Sequence, residues 1–365
     1  MVAKRVNDLT ESTGRKHTIR DVARLADVSI KTVSRVLNDE PAVKDETRKR
    51  VMRVIHELGY QPHSGARSMR GHCRNCIGIT LGAPIEVVPL SEQLLLWLFT
   101  QLYYVFGSRG NYVCFDLNPY QAGKNSDYAR GLWEQLYGGI VITGPLATGD
   151  PIIRKVHDSG YPYLAISRVG DLPECSSATV DFERAAYIST KHLIDRGHRH
   201  IALLKGFHGY HPSEERKRGY LRALQEAGIE PDTRLIANIS FTSGELSRLV
   251  HDLLSDHKVT AVVDSSGTED GKSLREGAKH VNRTIGRDVE FVVWTYTDNS
   301  AVLTEACAHV WLPLHEAIQE GLNQLADWFN GKRVGPVQVL HTPVLYEEVK
   351  FGEVPIPKHI LAVPE

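Results

Sequence analysis

The chain has 365 residues, 42% of them hydrophobic, and a formal net charge of -1. That is enough apolar side chain for two or three packed domains, which excludes a disordered or fibrous protein. The most hydrophobic run, LLLWLFTQLYYVF at 94–106, falls short of the roughly 20 residues that span a bilayer, and the first sixteen residues are polar, so neither a membrane span nor a signal peptide is expected and a cytoplasmic location is.

The first expected helix starts at Thr18, where a hydroxyl and Asp21 three residues on can cap reciprocally. Ile19, Val22, Ala23 and Ala26 recur at the spacing of one apolar face, which predicts about two turns ending near Asp27 and Val28. Ser29 is a second N-cap, and Val33, Val36 and Leu37 supply the inward side of the next helix. Its outward side is Lys31, Ser34, Arg35 and Asn38, a stripe of donors and amides. KDETRKRVMRVIHELGY predicts a third helix with Val51, Val54, Ile55 and Leu58 inward, Gly59 as C-cap, and Arg48, Lys49, Arg50 and Arg53 suited to phosphate. One polar stripe alone describes any solvated helix. Helix, tight turn, helix and a third helix together form the arrangement whose second helix fits a major groove. Charge agrees: from Arg15 to Arg70 thirteen Lys/Arg stand against seven Asp/Glu, whereas residues 71–365 carry a net -7. A basic head on an acidic body is the footprint of a nucleic-acid module joined to something else.

TIRDVARLADVSIKTVSRVLN, then AVKDETRKRVMRVIHELGYQPHSGARSMRG, resembles the LacI/GalR family of bacterial transcription regulators from Thr18 to Gly71. The VSxxTVSRVLN core, the ETRxRV helix and the LGYxP ending occur together and in order. The polar first sixteen residues carry no apolar run, so a disordered N-terminus is expected at 1–16, and the resemblance implies an all-α, lambda-repressor-like helix-turn-helix head at 17–62. Ile30 and Lys31 look like the variable pair that reads base edges, Ile30 on a thymine methyl and Lys31 on guanine O6 or N7. Thr18, Arg20, Ser29, Thr32, Ser34, Arg35 and Asn38 look like neighbouring DNA contacts, and Thr47 and Tyr60 like backbone contacts that position rather than specify. Residues 63–74 resemble the family's hinge helix, with Ala66 and Met69 at the minor groove and Met69 as the apolar wedge. Gly65 weakens that helix by about 1 kcal/mol relative to alanine, and an ordinary flexible linker is the alternative.

From Cys76 the chain alternates. Short β-branched runs at 76–82, 112–117, 138–144, 161–167, 200–206, 260–265 and 289–294 are separated by helical stretches near 91–107, 124–137, 150–159, 182–196, 214–228, 243–256 and 269–280. Strand, helix, strand repeated this way predicts doubly wound parallel sheets, which bind ligands beyond the carboxyl ends of their strands. By resemblance, residues 75–365 are a periplasmic-binding-protein-like α/β body of two lobes, the N-lobe at about 75–167 and 310–332 and the C-lobe at about 168–309 and 333–365, with a small-molecule effector between them. The helix at 94–106 has an apolar face to spare, which a partner subunit would cover, so a homodimer is expected.

Arg216, three residues before Gly219 in ERKRGY, matches the family's effector-binding arginine. After TAVVDS the family's Asn-Asp is replaced by Ser266-Gly267, and its later Gly-Tyr-Asp by Val293-Trp294-Thr295. Asp264 or Asp270 can supply the missing acceptor, and Trp294 either stacks on a ring or belongs to the core. Arg168, just after YPYLAIS, enters the same cleft unless it pairs with a protein acid such as Asp181 or Glu183, which would leave a pocket for an ordinary neutral sugar. The expected effector set is therefore Arg168, Arg216, Asp264, Ser266 and Trp294. Two guanidinium groups beside a lost aspartate favour an anion, a sugar acid or sugar phosphate, over a neutral sugar.

No GxSxG elbow, P-loop or GxGxxG follows a first strand, and paired acids such as Glu214-Glu215 read as solvated, so an enzyme is not expected. Cys73 and Cys76 in CRNC lack a second pair, so neither metal nor cofactor is expected. The reading is a dimeric repressor that binds operator DNA under control of a sugar-type effector. The alternatives are a solute-binding receptor and a sugar- or nucleotide-modifying enzyme with an accessory DNA-binding module.

Overall fold

In the computed structural model the described residues are 17–37, 40–60, 75–83, 92–116, 127–169, 172–206, 208–239, 245–266, 271–296 and 305–347. They divide into two compact units, one within Met1–His72 and one within Cys73–Glu365. The expected hinge and the N-terminal sixteen residues lie outside the described residues, as do Asn38, Ala66 and Met69.

The first unit is three helices, α1 (Ile19–Leu25), α2 (Ile30–Leu37) and α3 (Asp45–Leu58). Thr18 donates both its backbone N–H (2.9 Å) and its hydroxyl (2.7 Å) to Asp21, the expected capping box. These bonds, its backbone partner first, hold the Asp21 carboxyl below the usual carboxylate range. Val22, Ala23, Ala26, Val33, Val36, Val51, Val54, Leu58 and Tyr60 close the core. Gly59 ends α3 with φ 56°, the left-handed turn that costs a glycine nothing. Two of the arginines read as suited to phosphate also tie the head together: Arg50 donates its Nε–H to the Ala26 carbonyl at 3.0 Å and Arg48 donates to the Glu40 carbonyl at 2.6 Å.

The second unit contains two six-stranded sheets. One runs β11-β5-β4-β3-β1-β2, from β1 (Cys76–Leu81), β2 (Tyr112–Phe115), β3 (Gly139–Thr143), β4 (Tyr163–Ala165), β5 (Ser177–Val180) and β11 (Gln338–His341). The other runs β12-β10-β9-β8-β6-β7, from β6 (Ile201–Lys205), β7 (Ile236–Asn238), β8 (Ala261–Asp264), β9 (Glu290–Thr295), β10 (Ala308–Trp311) and β12 (Val344–Tyr346). Every pairing is parallel except β10 with β12. Helices cover both faces: α4 (Glu92–Val105), α5 (Arg130–Trp133), α6 (Pro151–Asp158) and α11 (Leu314–Phe329) on the first sheet, and α7 (Phe182–Asp195), α8 (His211–Glu226), α9 (Glu245–Ser255) and α10 (Gly271–His280) on the second.

Sheet membership corrects the lobe boundaries. The chain leaves the N-lobe after β5 rather than near 167, returns between Trp311 and Leu314 close to the expected 310, and leaves again between His341 and Val344 rather than near 332. β5 pairs with both β4 and β11, so these short strands cannot belong to the C-lobe. Among the described residues no helix is long and apolar enough to cross a membrane, and no His/Cys/Asp/Glu cluster could hold a metal.

Candidate DNA-reading face and effector cleft

On α2 the apolar residues Val33 and Val36 point inward and leave Ile30 and Lys31 exposed, with Ile30 41% accessible. Arg35 lies on the same side, its Nε 3.4 Å from the Glu40 carboxylate. Ser29 and Thr32 are engaged in the cap, the Thr32 N–H donating to the Ser29 hydroxyl at 3.0 Å and the two hydroxyls meeting at 2.9 Å. Thr18 and Arg20 are exposed on α1, and Ser34 and Thr47 are half-buried. Tyr60 is only 7% accessible, so its ring is core and only a small part of it can meet DNA.

In the C-lobe, the carboxyl ends of β6, β8 and β9 and the start of α8 assemble the other expected site. Gly219 is what lets α8 lie so close to α7: a Cβ there would stand 2.0 Å from the Glu183 carbonyl oxygen. One turn earlier Arg216 is 8% accessible, with its guanidinium 5.0 Å from the Phe182 ring centroid and 5.3 Å from that of Trp294. Its Nη2 donates to the Tyr296 hydroxyl at 3.4 Å, while its Nε has no partner. Among the described residues no carboxylate forms an ion pair with it.

Trp294 is corrected to a core residue. It is 2% accessible, stacks on Phe182 at 6.0 Å and donates its indole N–H to the Ser189 hydroxyl at 3.0 Å, so its ring is already sandwiched. Asp264 and Ser266 lie together at the end of β8, both buried, with the Ser266 N–H donating to Asp264 at 3.0 Å. Asp270 lies outside the described residues.

Arg168 takes the alternative reading, a pairing with an acid of the protein, though with a different acid from the two named. It pairs with neither Asp181, which caps α7 by accepting the Arg184 N–H at 2.8 Å, nor Glu183, which holds Arg218 and Arg222 at 3.0 and 3.1 Å. It reaches across from the N-lobe to Glu215 on α8 at 3.2 Å. Glu215, expected to be solvated, has a side chain only 1% accessible, and burial pushes its carboxyl up to about 7 against the pull of Arg168 and Arg218. Sequence reasoning also missed Lys205, a buried lysine at the end of β6. It donates to the Ser213 hydroxyl at 2.9 Å and sits 3.5 Å from Glu214, and burial lowers its ammonium from the usual range.

Residues 18–63 match the model for "Bacterial regulatory proteins, lacI family", and residues 108–284 the model for "Periplasmic binding proteins and sugar binding domain of LacI family". The chain is 27% identical over 324 residues to Catabolite control protein A of Priestia megaterium, spanning 87% of this chain and 94% of that protein. Its fold resembles that of a transcriptional regulator CelR–cellobiose complex, with TM-score 0.60, 25% identity, and coverage of 92% of this chain and 100% of that one. It also resembles a lac repressor dimer bound to operator and the anti-inducer ONPF, with TM-score 0.71, 22% identity, and coverage of 91% and 98%.

Proposed function

The chain belongs to the LacI family of bacterial transcription regulators, and from that membership we propose that it is a cytoplasmic, dimeric repressor whose operator affinity is set by a sugar-type effector held between the lobes. It acts by binding and not by turnover. The observation that carries the reading is the stripe of Ile30, Lys31, Ser34 and Arg35 on the outward side of a capped, well-packed α2. A two-fold operator needs two heads. The dimer surface is the face of α4 and edge strand β2, where Leu96, Phe99, Tyr103, Tyr112 and Phe115 are 69%, 45%, 63%, 70% and 39% accessible. Selection of sites from random duplex DNA tests the first part: recovery of no pseudo-palindromic site would overturn it.

The effector class rests on Arg216, a buried guanidinium without an acidic partner among the described residues, beside the hydroxyl of Tyr296. Its fork suits one carboxylate, phosphate or vicinal diol, and the missing counter-charge favours a sugar acid. Arg168 no longer supports an anion, because Glu215 neutralises it, and that pairing favours a neutral sugar as the second reading. A thermal-shift panel of neutral sugars against their acids and phosphates separates the two. Stabilisation by neutral sugars alone, or anion binding undiminished in Arg216→Ala, would remove the sugar acid.

A further inference from the structure

Among the described residues, two sets of polar contacts join the lobes. In the first, the loop after β3 meets the start of α8: the His211 N–H donates to the Leu146 carbonyl at 3.1 Å, the Thr148 N–H and hydroxyl donate to the Gly209 carbonyl at 3.0 and 3.2 Å, and Ala147 bridges Tyr210 in antiparallel fashion. The second is the ion pair of Arg168, from the segment between β4 and β5, with Glu215 in the second turn of α8. The backbone contacts fix the geometry but carry little preference between lobes together and lobes apart, since water replaces each bond on opening. An ion pair with one almost fully buried end is different, because its loss leaves a charge to be resolvated or a cation without its match.

We propose that Arg168 and Glu215 are a positioning pair: the pair holds the two lobes closed around the cleft and thereby sets the posture of Arg216, the next residue on α8. This rests on the reading of the cleft as the effector site. The groups that face Glu215 are Arg168 from the other lobe, Arg218 one turn along α8 with its Nη2 3.9 Å away, and Asp181 at the crossing from β5 to α7. Arg218 is shared with Glu183, so Arg168 is the cation whose presence depends on closure. Among the described residues Arg168 is the nearer cation and makes the hydrogen bond, Arg218 lies farther off on the same oxygen, and the second Glu215 carboxylate oxygen is buried without a hydrogen-bond partner.

The test is site-resolved amide hydrogen exchange on the full-length protein without DNA or added sugar. The amides of Thr148 and His211 are protected only by the other lobe, whereas those of Val141 and Leu203 lie within the sheets. In Arg168→Met, exchange at Thr148 and His211 rises by roughly tenfold to a hundredfold while Val141 and Leu203 keep their rates. The charge swap Arg168→Glu with Glu215→Arg restores protection, which a merely structural role of either side chain would not do. Unchanged exchange at Thr148 and His211, or a rise shared equally by Val141 and Leu203, would overturn the proposal. The measurement involves no effector, so a sugar panel that finds no ligand removes the effector reading while leaving the pair's role in closure to stand or fall on its own.

Discussion

Replacing Glu215 by glutamine should make the protein more stable at alkaline pH, although it deletes an ion pair. The carboxyl is raised from 4.5 to about 7, with burial the largest cause, Arg168 and Arg218 pulling the other way, and Asp181 adding to the rise. The folded state therefore holds this proton more tightly than the unfolded chain does. The resulting stabilisation is fully present below about pH 4.5 and is lost as pH rises through about 7. A shift of this size corresponds to about 3 kcal/mol at 1.36 kcal/mol per pH unit. Glutamine keeps the shape and carries no charge, and Arg168, with 39% of its side chain accessible, can resolvate. The assay is thermal denaturation of both proteins from pH 5 to pH 8.5, read as the difference in Tm. The difference should move in the variant's favour by about 5 °C across that range, since part of the effect is already lost at pH 5, taking about 2 °C per kcal/mol for a body of this size. Parallel profiles, or a variant that loses ground as pH rises, would show that Arg168 outweighs burial and refute the reasoning.

Arg35→Ala should weaken binding to the selected duplex by about 1 to 3 kcal/mol, measured by fluorescence anisotropy at fixed salt; unchanged affinity would displace α2 as the reading helix. Phe99→Asp, on the exposed face where the Phe99 and Phe115 rings meet at 4.2 Å with a 38° tilt, should convert a sedimenting dimer to monomer at micromolar concentration. Gly219→Ala should lower the Tm of the body and weaken any ligand held by Arg216, because α8 must move off the Glu183 carbonyl by more than an ångström; a silent substitution would contradict the 2.0 Å approach.

Legibility in the sequence followed the strength of local signals. The head was readable helix by helix because each one carries its own cap and an apolar face at regular spacing, from Thr18–Asp21 to Gly59. The central strands β1, β3, β6, β8 and β9 were readable as continuous apolar runs, buried on both faces. β5, β7, β10, β11 and β12 were not, being short and lacking a continuous apolar run, as in Gln338–His341. α11 escaped because LHEAIQEGLNQLADWF carries nearly as many polar as apolar residues, and its burial depends on sheet partners far away in sequence. The lobe crossings depend on which strand pairs with which, and no composition change marks them. Glu215 failed for a related reason: two adjacent glutamates look solvated until a segment 47 residues earlier is brought over them.

The charges near the C-lobe strand ends explain why Arg216 is singled out. Lys205 is matched by Ser213 and Glu214, Arg168 by Glu215, and Arg218 and Arg222 by Glu183. Arg216 has aromatic company instead, and two rings within about 5 Å attract a guanidinium through their faces without neutralising it. That arrangement stabilises the cation enough to keep it buried while leaving its hydrogen-bonding edge unsatisfied at Nε. Among the described residues no carboxylate satisfies that edge, which leaves it open to a ligand. Trp294 thus contributes without touching a ligand: anchored by Ser189 and stacked on Phe182, it forms half of the floor that holds Arg216 in place. Shrinking that floor should act on ligand affinity through Arg216 alone. Trp294→Leu and Arg216→Ala should therefore be non-additive in a double-mutant cycle on any ligand the thermal-shift panel yields, and additive losses would return Trp294 to the role of an independent contact.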